Sequence, residues 1–127
     1  MFSHVTIGSN NIEVSRKFYG PVLGAIGQEE FVRFDDDATA YGDENGAHVW
    51  VLSPADEQPS TVGNGMMIAF LSPNRASVDA AYACALENGG SDEGEPGIRE
   101  DYHANFYAAY LRDPDGNKLC IVCHNPE

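Results

Sequence analysis

The chain has 127 residues, 7 basic against 20 acidic, and a net charge of −13. That length suits one compact domain with a core of its own, and the charge opposes binding to nucleic acid and to anionic membranes. Small anionic substrates are disfavoured but not excluded, because a single Arg or Lys can hold one anionic group.

No apolar run approaches the ~20 residues of a membrane span, and the N-terminal residues lack a basic segment followed by an apolar stretch. The three cysteines are an odd number without a secretion signal. A soluble, cytoplasmic protein with reduced thiols is therefore expected.

Residues 2–8, FSHVTIG, alternate as a strand, with Val5 and Ile7 on one face and His4 and Thr6 on the other. A helix over 11–19 follows, capped by Asn10 or Asn11, favoured by Glu13 in its first turn and stopped by Gly20-Pro21. Segment 28–53 holds three short strands, EEFVRF, ATAYG and AHVWVLS, separated by Asp-rich and Asn-Gly turns. The order then begins again. Residues 65–71 read as a strand, and Asn74 caps a helix over 75–88 that Gly89-Gly90 ends. Residues 91–105 are rich in Gly, Pro and acid and read mainly as an excursion with at most one weak strand. Residues 106–124 close the pattern as a β-hairpin around Asp113-Pro114-Asp115-Gly116.

The expected architecture is α+β, a single domain over 1–127 made of two βαβββ modules, about 1–56 and about 64–127, with the helices on one face of the sheets. Alternation points Val5, Ile7, Ala47, Val49, Val51, Met66, Ile68, Phe70, Leu119 and Ile121 toward the helices. It leaves His4, Thr6, His48, Trp50, Met67, Ala69, Lys118, Cys120 and Val122 on the open face. If the hairpin makes Arg112 oppose Asn117, Ala109 and Tyr107 join that face; a one-residue bulge reverses the placement. The plain reading of this face is a second core layer or a dimer surface. Small Thr6, Ala69 and Ala109 among large Trp50 and Tyr107 favour a concave small-molecule pocket instead.

FSHVTIGSNNIEVSRKFYGPVLG, MIAFLSPNRASVDAAYACALENGG and YHANFYAAYLRDPDGNKL, in that order and spacing, resemble the vicinal oxygen chelate superfamily of glyoxalase I, extradiol dioxygenases and the fosfomycin- and bleomycin-resistance proteins. The resemblance implies curved sheets forming a cup, often completed by pairing of two chains, so a homodimer is expected. It also implies a divalent ion held by one side chain from the first and one from the last strand of each module. Carried onto this chain, His4 matches and suits Zn, Ni, Fe or Mn. The other positions depart: Met67 and Cys120 stand where His and Glu are common, and the fourth falls on Trp50, or on His48 if the alignment slips by two residues. A softer site from His4, His48 and Cys120, with Met67, is an alternative.

Cys120-Ile121-Val122-Cys123-His124 matches C-x-x-C-H formally, but residues three apart on a strand face opposite ways, so the two thiols do not share an ion. Cys84 reads as helix packing. Lys118 beside Cys120 would lower the thiol pKa and make it a nucleophile, although a buried structural Cys is the plainer reading. Tyr102 and His103 are binding candidates at the pocket mouth. Two functions follow. One is a protein of the bleomycin-resistance type that binds a small organic ligand through His4, Thr6, His48, Trp50, Met67, Tyr107, Lys118 and Cys120, with a degenerate metal site. The other is a glyoxalase I-like lyase or isomerase, or a dioxygenase, acting on a small carbonyl or aromatic substrate.

Overall fold

The computed structural model describes all 127 residues, and its elements run twice through the same order. The first module comprises β1 (His4–Gly8), α1 (Ile12–Gly24), β2 (Glu30–Phe34), β3 (Ala38–Gly42) and β4 (His48–Leu52). The second comprises β5 (Ile68–Leu71), α2 (Arg75–Glu87), β6 (Ser91–Ile98), β7 (Tyr107–Arg112) and β8 (Lys118–Cys123). Each module builds a four-stranded sheet, ordered β1-β4-β3-β2 and β5-β8-β7-β6, in which the first strand runs parallel to the last. Both helices begin at an asparagine whose side-chain oxygen accepts a backbone N–H three residues on, Asn11 from Val14 at 3.1 Å and Asn74 from Ser77 at 2.8 Å. No helix is long and apolar enough to cross a membrane.

Helix α1 continues past Gly20-Pro21 to Gly24, one turn beyond the expected stop. Proline removes one helical hydrogen bond and crowds the carbonyl four residues back, and here both Lys17 and Pro21 are exposed, so the Lys17 carbonyl can tilt toward solvent. The extra turn carries Val22 and Leu23, both fully buried. Their burial, about 1.5–3 kcal/mol per side chain, outweighs that loss.

The expected excursion at 91–105 is in its first half an eight-residue strand, β6. It is the outer strand of its sheet, and its register shifts between Asp92 and Gly94 and again between Gly94 and Gly97. Edge position and bulges let a sequence containing Pro96 and two glycines pair at all.

The hairpin differs by one residue, with a large effect. Arg112 pairs with Lys118, so the loop has the five residues 113–117 rather than four. Asp113 sets this length: its carboxylate accepts from the backbone N–H groups of Asp115 and Asn117, both at 2.9 Å, and from Asn117 Nδ2 at 2.9 Å. Gly116, at φ +91°, supplies the left-handed residue that closes the turn. Consequently Ala109 pairs with Ile121 and Tyr107 with Cys123, on the helix side, while Ala108 and Tyr110 take the open face beside Val122 and Cys120. Tyr107 and Ala109 are therefore not open-face residues.

The same turn joins the modules. The Tyr19 hydroxyl on α1 donates to the buried Asp113 carboxylate. Asn10 N–H donates to Asp115 Oδ1 at 3.1 Å, and Asn117 Nδ2 donates to the Gly8 carbonyl at 3.1 Å. Burial first, then the Asp113 charge, holds the Tyr19 phenol well above its ordinary pKa, so it remains a donor. Around this knot α1 packs on α2, and one cluster of 18 buried residues draws from both modules, among them Phe18, Val51, Val78 and Leu119.

Replacing Asp113 strands several donors at once, the costly direction for a buried polar group. In urea unfolding, Asp113→Ala should lose about 3 kcal/mol and Tyr19→Phe about 1–2 kcal/mol. Wild-type stability in both variants would refute the role given to this turn.

Candidate functional site

On the concave side of the first sheet, parallel pairing sets His4 opposite His48 and Thr6 opposite Trp50, while Val49 and Val51 turn into the core. Beneath them β3 offers only small groups, with Ala40 opposite Trp50, Ala38 opposite Leu52 and Gly42 opposite His48. The space is filled from β2. Phe34 stacks on Trp50 with ring centres 6.0 Å apart and planes 12° apart, and Phe31 meets His48 edge-on at 5.3 Å. His4 and His48 lie parallel within 10°, centres 5.3 Å apart. The result is an aromatic layer in which Trp50 and His48 are half-buried and Phe34 is 57% exposed.

Sequence reasoning missed Phe31 and Phe34, because β2 is bulged between Glu30 and Val32 and does not follow simple alternation. The A-x-A spacing of Ala38 and Ala40 was the available signal. Two small residues two apart mark a floor over which larger side chains from neighbouring strands can close.

The His48 Nδ1 lies 3.0 Å from the Gly46 carbonyl and 3.2 Å from that of Asp43, both acceptors, so Nδ1 is a donor there. His4 is exposed, with its Nδ1 bonded to the Ser3 hydroxyl at 2.8 Å.

The second sheet is different in character. Its concave side centres on Tyr110, flanked by Cys120 and Val122 of β8 and by Phe106. Gly94 of β6 lies against it; a Cβ there would stand 3.2 Å from Tyr110 Cδ2. Tyr107, on the other side, donates to Asp79 of α2 at 2.6 Å and lies under Arg75, so it fastens the helix to the sheet. Met66 and Met67 precede β5 and are both exposed; Met66 does not reach the helices as alternation implied, and neither does exposed Ala47 before β4.

Between the modules Thr6, Gly8, Val62, Met67, Asn117 and Lys118 line a cleft of about 270 Å³, slightly below the usual size of small-molecule pockets. The structure thus distributes the expected site residues over three places. His4, His48 and Trp50 come together in the aromatic layer, Thr6, Met67 and Lys118 at the cleft, and Cys120 lies buried beside Tyr110. Tyr102 and His103 pack with Phe106 at the far end of β7, where His103 Nε2 meets His124 Nδ1 at 2.8 Å.

A family model described as "Glyoxalase/Bleomycin resistance protein/Dioxygenase superfamily" matches residues 1–121. The structure is similar to a glyoxalase/bleomycin resistance protein from Albidiferax ferrireducens T118, with 38% sequence identity and a TM-score of 0.88 over 99% of both chains. It is also similar to a glyoxalase-related enzyme from Fulvimarina pelagi, with 19% identity and a TM-score of 0.74 over 97% of this chain and 87% of that one. A third likeness, to a lactoylglutathione lyase from Agrobacterium tumefaciens, has 14% identity and a TM-score of 0.65 over 97% and 92% of the two chains. The last two are likenesses of fold alone. No curated protein matches the chain.

The residues at the metal position implied by the fold do not fit a hard divalent ion. Trp50 offers no lone pair, and the Met67 thioether is a soft donor. The His4 and His48 rings are stacked nearly parallel, so their in-plane lone pairs do not converge on one point. No three His, Cys, Asp or Glu side chains gather anywhere in the chain as a metal site would require. Cys120 is 1% exposed, and burial pushes its thiol up to about 11 against the weaker opposite pull of the Tyr110 hydrogen bond and of Arg99 and Lys118. The pull of Lys118 that would make it a nucleophile is outweighed, because desolvation wins.

Alkylation tests this assignment, because iodoacetamide reacts with the thiolate. At pH 8 Cys120 should stay unmodified in the folded chain by peptide mass mapping, with labelling growing only as pH rises toward 11. Rapid labelling of Cys120 at pH 7 would show an activated thiolate.

Proposed function

Because the chain belongs to the glyoxalase/bleomycin resistance protein/dioxygenase superfamily, we propose that its concave faces bind a small organic ligand and that the superfamily's metal position is altered here beyond use. The observation that carries the reading is the aromatic layer of Phe31, Phe34, His48 and Trp50 over the alanine floor of β3. Aromatic side chains left partly open on a concave face, with few polar groups among them, are the ordinary makings of a small-molecule pocket. The donors that would hold a metal for enolate chemistry are replaced by Trp50, Met67 and Cys120, which supports binding without metal-assisted catalysis.

Both modules, about 1–56 and 64–127, serve one binding unit in this reading, and a second copy completes it. Phe2 at 73%, Leu71 at 67% and Met66 at 66% exposure are large apolar groups that pairing of two chains would cover.

Trp50 is the only tryptophan, so its fluorescence reports directly on the aromatic layer. Titration with a panel of one- and two-ring aromatic compounds should give a saturable change in its emission. Phe34→Ala should weaken that binding about tenfold, the loss of one stacked aromatic contact. Sedimentation of the same samples at micromolar concentration should show a dimer of the 13.7 kDa chain. An unresponsive Trp50 across the panel contradicts the binding proposal, and a monomer alone contradicts the pairing.

A further inference from the structure

Seven basic side chains serve a chain of net charge −13, and three of them, Arg16, Arg33 and Arg112, are paired with Glu13, Glu30 and Glu93. Two others stand on the concave face of the second module without a carboxylate partner. The guanidinium carbon of Arg99 lies 5.6 Å, and Nζ of Lys118 lies 5.8 Å, from the centre of the Tyr110 ring. Both residues are half-buried. The Arg99 side chain donates to the Glu95 carbonyl at 2.6 Å, which leaves most of its five N–H donors free. Lys118 makes no ion pair and opens onto the cleft shared with Thr6, Met67 and Asn117.

Four of the seven basic side chains lie outside the ion pairs, and of these Arg99 and Lys118 bring two positive charges to one ring. Glu100 and Asp101 line the same depression as Arg99, and Glu93 is bonded to Arg112, the cross-strand neighbour of Lys118, so the two cations act on a ligand by direct contact rather than through a long-range field. Partly desolvated ammonium and guanidinium groups gain most from a charged acceptor, and carboxylate and phosphoryl oxygens are the acceptors they match. The phenol ring beside them adds an apolar surface next to the two charges.

We infer that the concave face of the second module selects a small organic anion, a carboxylate or phosphonate attached to a flat body, and that Lys118 and Arg99 are its binding residues. This rests on the reading that the concave faces bind an organic ligand, and it gives that ligand a charge. A cationic group is disfavoured in direct contact with Lys118 and Arg99.

The test uses four probes that share one ring: benzoate, phenylphosphonate, neutral benzamide and cationic benzamidine, titrated into the full chain by calorimetry with Trp50 emission recorded in parallel. The two anions should bind about tenfold or more tighter than benzamide, with benzamidine weakest. Lys118→Gln and Arg99→Gln should each remove most of that preference, Lys118→Arg should keep it, and added salt should weaken the anions alone. Equal affinity for benzamide or benzamidine, or an anion preference untouched by both Gln variants, overturns the inference while a responding Trp50 keeps the aromatic pocket standing. If none of the four probes binds, the inference falls; if Trp50 is also unmoved by the wider aromatic panel, the pocket falls with it.

Discussion

One buried carboxylate, that of Asp113, governs more of this structure than any other group. It gathers two backbone N–H groups, the Asn117 amide and the Tyr19 hydroxyl, and by doing so fixes a five-residue turn between β7 and β8. A buried charge is tolerable only when its acceptors are filled, so the turn has little freedom to adopt another length. Turn length sets register, and register sets which side chains of β7 face the ligand side. Tyr110 rather than Tyr107 therefore stands on the concave face, beside Lys118, the first residue after the turn. The same residue, through Tyr19, fastens the second module to the first.

The two modules share an architecture and diverge in chemistry. At equivalent places along the first and last strands, His4, His48 and Trp50 of one module correspond to Met67, Lys118 and Cys120 of the other. The first concave face became aromatic over a floor of Ala38 and Ala40. The second kept one ring beside two cations. Symmetric ligation of one ion needs like donors in both halves, and this chain carries unlike ones. Asymmetry of this kind suits a ligand with two unlike ends, an apolar body and an anionic group.

Much of the fold was legible where local chemistry decides. Asn11 and Asn74 cap their helices as their positions before amphipathic runs imply, and β1, β4 and β8 bury the aliphatic residues that alternation selects. The places that alternation did not reach are those where a distant contact overrides it. Pro21 lies inside a helix because Val22 and Leu23 are needed in the core. Residues 91–98 form a strand because β7 offers an edge that a bulged, glycine-rich segment can follow. The faces of Tyr107 and Ala109 depended on the Asp113 turn, whose partner Tyr19 lies 94 residues away. At the site, His4, His48 and Trp50 were visible as same-face residues of paired strands, whereas Phe31 and Phe34 depended on a bulge in β2, and Arg99 lies just beyond the end of β6.

The central claim is that this member of the superfamily works through its concave surfaces without the divalent ion that the fold's metal position would hold. Calorimetric titration of the metal-free chain with Ni or Mn tests it most directly. With His4 and His48 stacked rather than converging, and Met67 and Cys120 lying apart from them, the unaltered chain should show no tight stoichiometric uptake. Tight, near-stoichiometric binding by the unaltered chain would contradict the account.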